Sequence, residues 1–160
     1  MGILTEPMKQ VVREQRLGYI ATVCEDGTPN LSPKGTIKVW DDDHLVFADI
    51  CSPGTVENLR NNPAIEINMV DPFLRKGYRF KGTATIVSQG HQFDDVMKIY
   101  DRDGQGVQSR VTNQIRSFVL VKVDRALPVI SPGYTRDVTE EQMRGRWEEY
   151  YASLKPRSKV

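Results

Sequence analysis

The spacing of apolar residues changes several times along the chain, and each change marks an element. Met8, Val11 and Val12 stand at i, i+3 and i+4 behind Thr5, a helix-capping residue type, with Pro7 in the first turn. This predicts a short amphipathic helix that ends near Gly18. The period then falls to two. Leu17 to Cys24 reads as a strand, Glu25 to Pro29 as a hairpin turn around Asp26-Gly27, and Asn30 to Trp40 as a long second strand. Asp41 to His44 makes another tight turn before a third strand, Leu45 to Ile50. Ser52 can cap the next helix, with Pro53 at its first position, Val56 and Leu59 on its apolar side and Asn61-Asn62-Pro63 at its end.

Ala64 to Val70 alternates Ile65, Ile67 and Met69 with Glu66 and Asn68, and Gly77 to Val87 alternates Tyr78, Phe80, Gly82, Ala84 and Ile86 with polar partners. Asp71 to Lys76 joins the two as a hairpin. Phe93, Val96, Met97 and Tyr100 then have helical spacing up to Asp101-Arg102-Asp103-Gly104, and Ser117 to Val123 supplies a sixth strand. Thr139 to Gln142 spells a capping box, followed by a stripe of Met143, Trp147, Tyr150 and Leu154 on a C-terminal helix over about residues 138–154. Pro156 to Val160 reads as a frayed end. Six strands in antiparallel order with short flanking helices predict a mainly β (α+β) fold, a small barrel spanning residues 1–160 as one domain.

Composition narrows the function classes. With 22 basic and 21 acidic residues the net charge is +1, so nothing global draws the chain to nucleic acid or to an anionic membrane. No apolar run reaches the roughly 20 residues of a membrane span, and Met1 to Pro7 lacks the layout of a secretory signal, so a cytoplasmic protein is expected. Cys24 and Cys51 lack metal-ligand spacing, and His44 and His91 stand apart, so no metal site is expected. Both cysteines read as reduced thiols. Cys51 stands out because it precedes a helix start, where a thiolate is stabilised.

An anion site, if present, is therefore local. Ser32, Lys34, Thr36 and Lys38 share one parity of the second strand, which gives one face two hydroxyls and two ammoniums. A solvated outer face would look similar. Pro33 and Gly35, however, remove a ladder donor and a side chain, as happens where another group approaches the backbone. The helix start at Ser52 offers free N–H groups and a positive dipole end, with Thr55 one turn in, although simple capping would look the same. Strand and helix start together suit a phosphate-bearing cofactor. Tyr134 and Arg136, after Ser131-Pro132-Gly133, and Trp147 on the terminal stripe are further pocket candidates. Tyr78, Arg79 and Lys81 fit either a pocket or an exposed barrel face, and Gly104 to Val107 is a turn without a dinucleotide fingerprint.

Three stretches carry a resemblance over about residues 5–125. They are Gly18-Tyr-Ile-Ala-Thr-Val with Asp26-Gly-Thr-Pro-Asn-Leu-Ser-Pro-Lys-Gly-Thr-Ile-Lys-Val, Leu45-Val-Phe-Ala-Asp with Thr55-Val-Glu-Asn-Leu-Arg-Asn-Asn-Pro, and Gly77-Tyr-Arg-Phe-Lys-Gly-Thr-Ala. The chain resembles the pyridoxamine 5'-phosphate oxidase-like flavoproteins, whose fold is the FMN-binding split barrel. The resemblance implies a homodimer with two FMN molecules at the interface and a small flavin-dependent oxidoreductase.

The resemblance places Ser32, Pro33, Lys34, Gly35, Thr36 and Ile37 along the flavin and toward its phosphate. It places Ala48 and Asp49 against the flavin or ribityl chain, and Ser52, Gly54 and Thr55 at the phosphate-binding helix start. Lys38 matches a lysine that holds substrate phosphate in the vitamin B6 oxidases. The segment with Tyr134, Arg136 and Trp147 is placed to cover a flavin from the partner subunit, although a tryptophan on an apolar stripe is more often a core residue. Those oxidases carry arginine where this chain has Pro33 and an Arg-Lys pair where it has Gly54-Thr55. They also carry a longer C-terminal extension. These departures point away from pyridoxine phosphate oxidation. Other readings are a non-catalytic flavin-binding or redox-sensing module, the same barrel holding F420 or haem, and a barrel with no cofactor. No protein acid, base or nucleophile is required for hydride receipt at a flavin, so no catalytic residue is assigned.

Overall fold

The computed structural model describes residues 2–102 and 114–154. The turn expected at Gly104 to Val107 and the frayed end at Pro156 to Val160 lie outside them. The strands are β1 (Gly18–Val23), β2 (Pro29–Lys34), β3 (Lys38–Val39), β4 (His44–Asp49), β5 (Ala64–Asp71), β6 (Lys76–Val87) and β7 (Ser117–Ile130). The described helices are α1 (Glu6–Gln15), α2 (Pro53–Asn61), α3 (His91–Arg102) and α4 (Glu140–Ser153). All the described strands belong to one antiparallel sheet of seven, in the order β2-β1-β5-β6-β7-β4-β3.

The two edges of that sheet, β2 and β3, are consecutive in the chain. Only Gly35, Thr36 and Ile37 separate them, so the sheet curls into a barrel that is covalently continuous across its split. The strand expected over Asn30 to Trp40 is therefore two strands. Its first part pairs with β1, ending at Lys34 opposite Gly18, and its last part pairs with β4, where Lys38 faces Val46. This break accounts for seven strands in place of six. Pro29 and Pro33 are tolerated because β2 is an edge strand, where a missing N–H leaves no inner ladder unpaired.

Inward residues of the sheet, including Ile20, Leu45, Phe47, Ile67, Phe80 and Val121, form the barrel core. Leu4 and Val12 from the α1 end, and Val56 and Leu59 from α2, join it. A second cluster lies on the other face of β4 and β7. There Val46, Ala48, Phe118 and Leu120 are covered by Val96 and Tyr100 of α3, so these strands are buried on both faces. A register shift at Lys81/Gly82 leaves Asp124 as an extra residue on β7, since Lys81 faces Arg125 while Gly82 faces Val123. Inward positions change from Val119, Val121 and Val123 to Ala126 there. That change of phase hides the second half of β7 from a period-two reading, which stops at Val123.

The C-terminal helix starts as expected. Thr139 and Gln142 form a reciprocal capping box, and Met143 is buried. No described helix is long and apolar enough to cross a membrane.

Candidate functional site

Because β2 ends where β1 begins, Lys34 lies beside Gly18 and its side chain turns inward under the N-terminus of α2. It is 7% exposed. Its ammonium donates to Ser32 Oγ at 2.6 Å and to Ser52 Oγ at 2.5 Å. Both acceptors are neutral hydroxyls. Burial pushes the Lys34 pKa down, and the charge of Asp49 opposes that shift. Asp49 is itself buried and accepts the Ser52 N–H through Oδ1 at 3.1 Å.

Ser52 is the N-cap of α2, yet its side chain makes no cap bond; its hydroxyl oxygen accepts from Lys34 instead. The leading amides of α2 thus lack the side-chain acceptor that a cap supplies. Thr55 is buried one turn in, and a Cβ built on Gly54 would meet nothing within 4 Å. A buried ammonium, two hydroxyls free to donate their protons and an open helix start together form a donor set for an oxyanion. FMN phosphate fits that set. The fit relies on one lysine and one helix dipole, without the Arg-Lys charges of the oxidases.

The remaining candidates separate into three groups. Thr36 holds the backbone of Ala48, accepting its N–H at 3.1 Å and donating to its carbonyl at 3.4 Å. Pro33 is exposed on the opposite face of β2, opposite Tyr19, while Gly35 is exposed in the bend and Ile37 is buried in the core. Lys38 does not join Lys34. Its ammonium donates to the Ile99 carbonyl at 3.3 Å and lies 4.4 Å from the centre of the Tyr100 ring. The alternation expected for one continuous strand placed the two lysines side by side; the bend at Gly35 to Ile37 sends them to different neighbours.

Tyr134 and Trp147 gather at the β5–β6 hairpin. Tyr134 donates to the Leu74 carbonyl at 2.6 Å, and the Arg75 guanidinium stacks 3.8 Å from the Trp147 ring centre. Trp147 also packs edge-on to Tyr150. Arg136 is exposed. Arg79 and Lys81 both pair with Glu66 on the outer sheet face, and the Arg79 hydrogen bond holds the Glu66 carboxyl below its usual range. Cys24 is half-buried and Cys51 is exposed, both as free thiols.

Two features escaped the sequence reading. Tyr100 counted only as part of an apolar stripe, yet its hydroxyl donates to the Thr36 carbonyl at 2.6 Å. The outer face of β1 and β2 is apolar and open: Leu31 is 66% and Tyr19 48% exposed, beside a groove of about 300 Å³ lined by Leu17, Tyr19, Val70 and Arg75. Outward alternation along both strands was the available signal.

Residues 4–129 match the family model described as pyridoxamine 5'-phosphate oxidase. The chain belongs to this family. An uncharacterised protein of Methanocaldococcus jannaschii is 32% identical over 89 residues, which are 54% of this chain and 58% of that protein. The match thus spans less than two thirds of that relative's length. Among solved structures, HupZ of Group A Streptococcus is 30% identical, with a TM-score of 0.68 over 79% of this chain and 94% of its own. An FMN-binding protein from Syntrophomonas wolfei is 16% identical, with a TM-score of 0.66 over 80% of this chain and 87% of its own. An F420 reductase and the haem storage protein HutZ of Vibrio cholerae share the fold at 23% and 18% identity, with TM-scores of 0.59 and 0.62. At such identities the last three establish the split barrel alone.

Proposed function

We propose that this family member is an FMN-binding flavoprotein and a small flavin-dependent oxidoreductase, working as a cytoplasmic homodimer. The observation that carries the reading is the buried Lys34 ammonium held on Ser32 and Ser52 at the open start of α2. A buried cation whose hydrogen-bond acceptors are neutral hydroxyls, with Asp49 only partly offsetting its burial, is stabilised further when an anion docks beside it. The FMN phosphate supplies that charge, with Ser32, Ser52 and Thr55 as hydroxyl donors. The flavin ring would then run toward the bend at Gly35 to Ile37, at the split of the barrel. When bound, the flavin accepts and returns hydride or electrons; the protein binds its phosphate, orients its ring and excludes water.

The apolar outer face of β1 and β2 favours a second copy of the chain as partner. The free thiols fit a reducing compartment. Among the described residues neither histidine is a hydrogen-bond partner of Lys34 or Ser52. His44 opens β4 at the end remote from Asp49 and is bonded to Asp41, and His91 opens α3.

The test begins with the absorption spectrum of the protein as purified, then fluorescence titration with FMN, riboflavin, F420 and haem. Preference for FMN over riboflavin supports the phosphate site; selective uptake of F420 or haem overturns the FMN assignment. Anaerobic mixing with NADH or NADPH separates the enzyme from a passive module. Flavin bleaching supports an oxidoreductase, and an unchanged spectrum over many minutes supports the module.

A further inference from the structure

We infer that Tyr100 is a positioning residue for the cofactor, acting through the bend between β2 and β3 rather than by touching the ligand. The inference rests on the flavin reading of the site. Tyr100 is 2% exposed on the last turns of α3, with its ring 5.1 Å from that of Phe118. Its hydroxyl has one proton, and among the described residues it meets the Thr36 carbonyl at 2.6 Å, closer than the Val46 carbonyl at 3.3 Å. From the opposite side, the Thr36 hydroxyl grips both backbone groups of Ala48. Thr36 is thereby fixed through its carbonyl and its side chain at once.

A trans peptide is planar and carries its C=O and N–H in opposite directions. Fixing the Thr36 carbonyl toward α3 consequently aims the Ile37 N–H away from α3. Ile37 lies in the bend, outside the ladder pairs of β2 with β1 and of β3 with β4, so the direction of this donor is not set by a sheet ladder. Tyr100 sets it. Lys38 reinforces the clamp, donating to Ile99 and lying over the Tyr100 ring, so the last turns of α3 hold both ends of the segment 36–38.

The test compares wild type with Tyr100→Phe, which keeps the ring stacked on Phe118 and removes only the hydroxyl. FMN affinity, flavin midpoint potential and thermal midpoint are measured for each. The expected result is binding weakened about fivefold to tenfold, the size of one lost hydrogen bond, together with a displaced potential. A merely structural tyrosine would lower the thermal midpoint and leave the potential unchanged. If wild type binds FMN and Tyr100→Phe matches it in affinity and potential, the inference falls while the flavin reading stands. If wild type binds no flavin, both fall. Should Tyr100→Phe not fold, Lys38→Met loosens the same turn from a half-buried position; a shift in the same direction supports the inference, and wild-type values overturn it.

Discussion

The ammonium of Lys34 and the hydroxyl oxygen of Ser52 lie 2.5 Å apart, although they are 18 positions apart in the chain. The contact joins an edge strand of the barrel to a helix start whose N-cap side chain makes no cap bond. Its removal is expected to act on phosphate recognition more than on the fold. Lys34→Met keeps the side-chain volume and deletes a charge-assisted contact of about 1.5–3 kcal/mol, so FMN affinity should fall roughly ten- to a hundredfold. Riboflavin, which lacks the phosphate, should bind both proteins equally. Thr55→Ala should weaken FMN to a smaller degree. Equal FMN affinity in wild type, Lys34→Met and Thr55→Ala, measured by fluorescence quenching, would remove the phosphate from this site.

The depressed pKa of Lys34 makes anion binding depend on pH. Burial lowers the pKa in the free protein, and a bound phosphate favours the charged form and raises it again. Between the two values each ligand bound takes up a proton. FMN affinity is therefore expected to be level below the free-protein pKa and to fall about tenfold per unit as pH rises above it. The measurement belongs above about pH 7.5, where the phosphate itself is a dianion. The ligand-free protein has the complementary dependence. The unfolded chain holds the Lys34 proton to its ordinary value near 10.4, the folded chain only to the lower value, so the unfolded state binds more protons between them. Stability should rise with pH across that interval, the cost of the buried charge being fully present below it. Lys34→Met should abolish both slopes.

Thr36 tests the second anchor of the bend. Its hydroxyl accepts the Ala48 N–H, and Ala48 is 2% exposed, so Thr36→Val leaves a buried donor unmet. The expected loss is about 1–3 kcal/mol in urea unfolding, as a shifted midpoint at constant slope. Thr36→Ser retains the oxygen and should lose much less. Equal losses in both variants would show that the methyl group, rather than the bond, matters.

The sheet and helices are legible in the sequence wherever one face of a regular element is buried. Period two exposes β1, β5 and most of β6, and the capping box announces α4 before any packing is known. What escaped depends on partners that alternation does not encode. Nothing in Lys34-Gly-Thr-Ile-Lys38 states that the chain leaves β1 and joins β4 there, so Lys34 and Lys38 read as neighbours on one face. The extra residue at Asp124 resets the inward phase of β7, and a strand whose phase resets looks like a strand that ends. The same logic governs the site. Ser52 was visible as a helix start, but its use as an acceptor for a distant lysine exists only after folding. Tyr100 had the spacing of a core residue and is one; its hydroxyl gains a role only from where Thr36 arrives.

The outer face of β1 and β2 supplies a final prediction. Tyr19 pairs across the strands with Pro33, and Ala21 with Leu31, so their outward side chains make one apolar patch immediately behind Lys34. Leu31 is 66% exposed in the single chain. If a second copy seats there, each buried leucine contributes about 1.5–3 kcal/mol, and a twofold interface counts the contact twice. Leu31→Glu replaces that gain with a desolvated carboxylate in each copy. Sedimentation at micromolar concentration should then show a wild-type dimer and a Leu31→Glu monomer, with FMN affinity lower in the monomer because a site at the interface loses its partner wall. A wild-type monomer that binds FMN as tightly as its Leu31→Glu variant would place the whole flavin site within one chain and leave the patch to a different partner.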